Sequence, residues 1–365
     1  MRAAPTRILY VQPAYFDPAS YIGGGERYPQ NLARAVAAAS DGDTEITIVS
    51  FGTEAKRLAI AERVELRVLQ GESRNGNMFD ATSAEITELI EASDLVHVFQ
   101  PFTRGGEAAS LAGMARGVPV VLTDLGCLTS RTGEQSGLIG LVDALVCISK
   151  FSAARFHGYR HPCHVVASGP YDDGKFTLCG EAAELRRSLL FVGRLLPHKG
   201  VDTVIRALPP DLPFVVCGRP YDRKYLGLLR ELSRGKRVTF VTDADDRTLT
   251  RLYRQALAVI LPSVHFDVYG NYHMYPELLG LTLLEGAASG CFAICRNVGG
   301  MPEFIGDADC GASFETDDEL RELLASVAAE RELISGAAVI RKRADWAART
   351  HGLRVTGERV LEAYR

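Results

Sequence analysis

Phe191-Val192-Gly193-Arg194-Leu195-Leu196-Pro197-His198-Lys199-Gly200-Val201-Asp202 decides the architecture. An apolar strand ends at Gly193, a turn holding Pro197 and Gly200 follows, and a helical pattern starts near Gly200. Strand, short turn and helix make half of a βαβ unit. Arg194 and Lys199 sit five residues apart in the turn. Cations beyond a strand's C-terminal end can neutralise a diphosphate, arginine by its planar fork and lysine as a point charge. Ordinary surface basicity is the competing reading.

The same alternation extends in both directions. Upstream, strands are predicted at 8–11, 46–50, 64–69, 95–99, 118–123, 144–148 and 164–167, with helices at 31–39, 84–92, 106–116 and 150–156. Downstream, strands fall at 188–192, 214–217, 238–241, 258–261 and 292–296, with helices near 200–207, 221–233, 245–255, 281–289, 318–326 and 340–348. Short β-branched strands alternating with helices imply an α/β chain of parallel, doubly wound sheets. Turn residues from Ser168 to Lys175 interrupt the pattern. The expected domains are 1–170 and 187–349, joined by a linker at 171–186, with a C-terminal helix near 350–365 packing back on the first. A cleft between two such domains is the default ligand site.

Composition narrows the function. Charged residues make up 24% and the net charge is −4, which gives no electrostatic case for nucleic acid as a partner. The cysteines form no C-x-x-C pair and read as buried free thiols rather than a disulfide or zinc framework. Residues 1–6 do not read as a signal peptide, and no apolar run approaches the ~20 residues of a membrane span. The expectation is a cytoplasmic protein for which peripheral membrane contact is possible.

Glu277 and Glu285 flank Leu278-Leu279-Gly280-Leu281-Thr282-Leu283-Leu284. Eight helical residues would separate them by roughly 12 Å. Pro276 and Gly280 place Glu277 in a loop and Glu285 on a helix. That spacing suits the two ends of an extended ligand, not the carboxylate pair of a glycosidase, about 5–9.5 Å apart. Two solvated glutamates on a surface helix are the competing reading. Gly23-Gly24-Gly25 lies in a long loop after the first strand, where glycines allow close backbone approach to a ligand, or only flexibility. No G-x-G-x-x-G follows a strand, which argues against a dehydrogenase.

Gly193-Arg194 with Lys199-Gly200, followed by Glu277-x7-Glu285, resembles the retaining GT-B glycosyltransferases of glycosyltransferase family 4. Gly24-Gly25-Glu26, Leu261-Pro262-Ser263, Gly299-Gly300-Met301-Pro302-Glu303, Trp346 and Tyr364 fit the same pattern, over residues 7–364. The resemblance implies two Rossmann-like domains facing across a cleft, an acceptor-side domain followed by a donor domain. Arg194 and Lys199 would bind the donor diphosphate and stabilise the leaving group. Glu277 would contact the donor sugar and Glu285 the ribose hydroxyls. Backbone N–H groups of Leu281 and Thr282, after Gly280, would meet the phosphates. Gly24 and Gly25 would line the donor, and Thr242 and Asp243 would lie near the nucleobase.

The implied reaction moves a sugar from a nucleoside-diphosphate sugar to a hydroxyl acceptor with retention and without a metal or other cofactor. A UDP-sugar is favoured and a GDP-sugar is possible. A sugar phosphorylase or sugar-phosphate synthase on the same fold, and a non-catalytic nucleotide-sugar binder, are the alternatives. The sequence departs from the family at Asp124, where many relatives place a histidine. Asp124 can act as a base toward the acceptor, hold a sugar hydroxyl, or cap its own turn. His97 reads as a packed histidine. The loop 265–275 is long for its junction and rich in aromatic and polar residues, which suits sugar or acceptor contact; a zinc reading of His265, Asp267 and His273 is secondary.

Overall fold

The structure is a computed structural model that describes residues 6–13, 24–73, 80–126, 137–156, 158, 163–165, 169–178 and 186–365. The chain divides into two compact units, Met1–Pro170 with Gly352–Arg365, and Tyr171–His351.

The first unit is built on a sheet of β1 (Arg7–Val11), β2 (Glu45–Gly52), β3 (Lys56–Ala61), β4 (Val64–Gln70), β5 (Leu95–Phe99), β6 (Val120–Thr123), β7 (Ala144–Cys147) and β8 (Cys163–Val165). Its order is β3-β4-β2-β1-β5-β6-β7-β8. Every pairing is parallel except β3 with β4. Ile8 to Val11 are buried, as a parallel strand covered on both faces requires. The reading of the sequence contains no strand at 56–61. There Lys56 and Arg57 precede a non-alternating, mostly exposed run, and the strand forms only as a charged edge hairpin on β4.

Gly24 and Gly25 are not in a loop. They open the helix Gly24–Ala39, seven residues earlier than predicted. Pro29 lies inside this helix and cannot supply the N–H that would bond to the Gly25 carbonyl. Gln12 Nε2 donates to that carbonyl instead, at 3.0 Å, so the helix continues through the proline.

The C-terminal helix Leu353–Ala363 packs against Gly24–Ala39, where Gly357 lets it approach the Ala35 carbonyl. Beyond it, Tyr364 joins a buried polar chain. Thr123 Oγ1 donates to the Val146 carbonyl at 2.8 Å, so it accepts from His97 Nε2 at 2.7 Å. His97 Nδ1 then accepts from Tyr364 Oη at 2.6 Å, and Tyr364 accepts from Tyr10 Oη at 2.8 Å. Burial pushes the His97 pKa down to about 3, which agrees with the neutral tautomer this chain demands. His97 is thus a packed, fully bonded histidine.

The second unit has β9 (Ser188–Val192), β10 (Phe214–Cys217), β11 (Val238–Val241), β12 (Ala256–Leu261), β13 (Phe292–Arg296) and β14 (Gly311–Phe314), ordered β11-β10-β9-β12-β13-β14 and wholly parallel. From β9 the chain winds outward to β11, then returns to β12 on the other side. This is the Rossmann order, and its switch point lies between β9 and β12. β14 was not predicted; its Gly-Ala-Ser-Phe has little strand propensity and holds its place by pairing with β13. The helix Ala337–His351 packs on Leu281–Ala288, and its buried Arg343 donates to the carbonyls of Gly290, Asp309 and Ile334. No described helix is long and apolar enough to cross a membrane.

Candidate active site

The switch point of the second unit gathers most of the residues singled out in the sequence. Arg194, just after β9, is exposed, and its guanidinium makes no ion pair or hydrogen bond with the described residues. Pro197–Lys199 then forms a single 3₁₀ turn, closed by the Gly200 N–H on the Pro197 carbonyl. The segment after β12 lies against this turn, with Val264 N donating to the His198 carbonyl at 2.9 Å.

Lys199 is only 8% exposed. Its Nζ lies 2.9 Å from Glu277 Oε2 and 3.5 Å from the Pro276 carbonyl. Glu277 is in a loop and Glu285 on the helix Leu281–Ala288. Gly299 holds the backbone at Glu277 in place. Its φ is 66°, a Cβ there would sit 2.0 Å from the Glu277 carbonyl oxygen, and Gly300 N donates to that oxygen. The helix starts at Gly280 in the left-handed region, φ 91°. The N–H groups of Leu281 and Thr282 have no acceptor among the described residues; the first bonded N–H is that of Leu283, on the Gly280 carbonyl. Buried hydroxyls of Thr282 and Ser263 also lack a partner. Unbonded N–H groups at a helix head with its dipole, an unpaired guanidinium and a lysine are each groups that can hold an anion.

Glu285 is 3% exposed, and its Oε2 accepts from Tyr253 Oη at 2.7 Å. Sequence reasoning missed Tyr253, on the helix Asp246–Gln255; its apolar spacing gave only the signal of a core residue. It also passed over His198. Burial, then the charges of Lys199, His273 and Arg194, press this imidazole down to a pKa of about 3. Its ring packs on His273, centroids 4.8 Å apart, and His273 Nε2 bonds to Asp267 Oδ2 at 3.0 Å. Thr242 and Asp243 follow β11, the outer strand, half-buried and exposed respectively, and Thr242 bonds to none of Arg194, Lys199, Glu277 and Glu285.

His265, Asp267 and His273 belong to a self-braced loop. The Asp267 carboxylate takes bonds from Tyr269 N, Asn271 N, Asn271 Nδ2 and His273 Nε2. Among the described residues no group of three His, Cys, Asp or Glu side chains is placed to hold a metal ion. Cys147, Cys217, Cys291, Cys295 and Cys310 are buried and form no disulfide.

In the first unit, Gly24 and Gly25 sit at a helix head. Gln12 and Gln100, at the ends of the neighbouring strands β1 and β5, each bury an amide oxygen without a partner. Asp124 is ion-paired with Arg155, and its Oδ1 accepts from Gly126 N at 2.8 Å. Burial pushes its pKa up and Arg155 opposes that shift.

Residues 181–345 match the family Glycosyl transferases group 1. Among curated proteins, a glycosyltransferase of Methanocaldococcus jannaschii without an assigned role is 34% identical over 125 residues, 33% of this chain and 29% of that protein. A D-inositol 3-phosphate glycosyltransferase of a Mycobacterium species is 32% identical over 136 residues, 35% and 28% of the two chains. The matched segment therefore spans less than a third of these relatives. Among solved structures, a sucrose-phosphate synthase of Thermosynechococcus elongatus superposes with a TM-score of 0.73 at 16% identity, over 99% of this chain and 98% of that one. The Anabaena protein HepE, in a complex with UDP and glucose, superposes with a TM-score of 0.69 at 16% identity, over 98% of both chains. The chain has the GT-B fold, and its residues 181–345 carry the sequence signature of the glycosyl transferases group 1.

Proposed function

We propose that this chain is a retaining glycosyltransferase that moves a sugar from a nucleoside-diphosphate sugar, favouring UDP, to a hydroxyl acceptor without a metal. The carrying observation is the Lys199–Glu277 contact beside a helix head with unpaired N–H groups. Arg194, Lys199 and the N–H groups of Leu281 and Thr282 hold the diphosphate; Glu277 takes the sugar hydroxyls; Glu285, set by Tyr253, takes the ribose. The bond from the anomeric carbon to the diphosphate oxygen breaks, and its electron pair goes to the diphosphate. Fixed cations and N–H dipoles stabilise that charge as it develops. The acceptor oxygen bonds to the same face of the anomeric carbon, and its proton passes to the departing diphosphate oxygen. Asp124, already paired with Arg155, orders the turn after β6 and is the second candidate for receiving that proton. The UDP complex of HepE and the group 1 match support the donor class.

The test is a thermal-shift screen with UDP, GDP, ADP and dTDP, followed by transfer assays in EDTA with the matching α-linked sugar donor. Stabilisation by one nucleotide and an α-configured product are expected. A β-configured product removes retention, and activity lost in EDTA removes metal independence.

A further inference from the structure

Five of the nine exposed large hydrophobic side chains among the described residues fall within ten positions: Phe266, Val268, Tyr272, Met274 and Tyr275. Phe266 and Tyr272, 66% and 57% exposed, form an isolated antiparallel bridge, their rings 5.0 Å apart. His265 stacks on the Tyr272 ring at 5.9 Å. The loop that carries them is ordered from within. Asp267 is its internal brace, and Asp267 N and His273 N close it on the carbonyls of Asn271 and His265. It is also tied to the cation turn at three places: Val264 N on the His198 carbonyl, the His273 ring on the His198 ring, and Lys199 Nζ at Pro276 and Glu277. A patch of this density on an ordered loop marks a binding surface.

We propose that the Phe266–Tyr272 face is a subsite for a carbohydrate ring of the acceptor. This deepens the glycosyltransferase reading and rests on it for the word acceptor. Aromatic rings with polar handles match a sugar, whose C–H face stacks on the ring while its hydroxyls reach hydrogen-bonding groups. The alternative occupant, an anionic lipid surface, needs flanking basic residues. Residues 264–276 contain no Lys or Arg and one Asp, and the neighbouring Lys224 is engaged over the Tyr269 ring at 4.3 Å. The pre-ordered loop lowers the entropic cost of binding.

The experiment applies the full chain, the Phe266→Ala/Tyr272→Ala variant and the Phe266→Tyr variant to an array of neutral oligosaccharides, and records the UDP-induced melting shift of each. The wild type is expected to bind at least one oligosaccharide class. The double variant should lose about tenfold or more in affinity, Phe266→Tyr should keep it, and all three should keep the UDP shift. If the double variant does not fold, Phe266→Ser replaces it and should show the same loss. No wild-type binding on the array, or equal binding by the alanine variant, overturns the proposal. So does binding to phosphatidylglycerol vesicles, or self-association by light scattering, that depends on Phe266 and Tyr272. An absent UDP shift beside Phe266-dependent oligosaccharide binding defeats the donor reading and leaves the carbohydrate site standing.

Discussion

Lys199 Nζ lies 2.9 Å from Glu277 Oε2 across 78 residues of sequence, both side chains largely withdrawn from solvent. Each offsets the charge of the other. Lys199→Ala should therefore lower transfer by at least about 100-fold and abolish most of the UDP-induced melting shift. Glu277→Gln keeps the shape and removes the charge; on the proposed assignment of Glu277 to the sugar, it should lower transfer comparably while leaving the UDP shift largely intact. Wild-type-like turnover in either variant rules out the proposed reaction.

Tyr253 donates to Glu285 from a different helix, so it orients the carboxylate proposed to take the ribose. Tyr253→Phe removes one hydroxyl and leaves the ring packed on Phe176. It should weaken UDP binding by about 3- to 20-fold and cost about 1–2 kcal/mol of stability, since a buried carboxylate loses a donor. Calorimetric titration with UDP and thermal unfolding measure the two effects separately. Unchanged UDP affinity with reduced stability would show that Glu285 has no part in binding the nucleotide.

The imidazole of His97 is buried between Tyr364 and Thr123 and titrates at about 3 when folded, against 6.5 for an unperturbed histidine. The unfolded chain therefore binds more protons between those values. The contribution to stability is fully present above pH 6.5 and is lost as pH falls toward 3, at about 1.4 kcal/mol per pH unit. His97→Gln removes that contribution. The stability difference between wild type and variant should shrink from pH 7 to pH 4, while other titrating groups, His198 included, cancel in the comparison. A difference constant with pH would mean that His97 titrates normally.

The fold was legible where the chain is buried on both sides. β1, β9, β10, β12 and β13 are short, largely apolar and mostly buried runs, and sheets covered by helices leave no other reading for them. The turn chemistry around Gly193–Gly200 and Gly280 was equally plain, because proline and glycine act locally. The edge strands β3 and β14 were not legible, since partners elsewhere in the chain hold them and their own residues give no alternation. The start of the first helix was hidden for a related reason: Pro29 and two glycines argue against a helix, and the answer lies in the side chain of Gln12. In the site, charged residues with motif spacing stood out. Tyr253 and His198 did not, because their importance comes from contacts across the fold.

Gly299 and Gly117 share a left-handed backbone, φ 66° and 68°, in different surroundings. A Cβ at Gly299 would lie 2.0 Å from the Glu277 carbonyl oxygen, whereas at Gly117 it meets nothing within 4 Å. Gly117→Ala should cost only the backbone term, about 1–2 kcal/mol, with transfer unchanged. Gly299→Ala must push the Glu277 loop away as well, so transfer should fall by about tenfold or more. Melting and transfer assays on the pair isolate the close approach from the dihedral. Equal behaviour of the two variants would show that Gly299 does not set the position of Glu277.

Gln12 and Pro29 form a compensating pair through the Gly25 carbonyl, which Pro29 cannot bond and Gln12 does. Gln12→Leu leaves that carbonyl without its donor and also removes the unpaired Gln12 Oε1, so the single variant mixes two opposing effects. Pro29→Ala restores a backbone N–H at the right place in the helix. Gln12→Leu should then be milder in the Pro29→Ala background by about 1 kcal/mol, the worth of one hydrogen bond, because the contribution of Oε1 is common to both arms of the cycle. Urea unfolding of the four proteins measures the coupling. Additive effects would mean that the helix tolerates Pro29 without help from Gln12, and that the glycines at its head are held by other contacts.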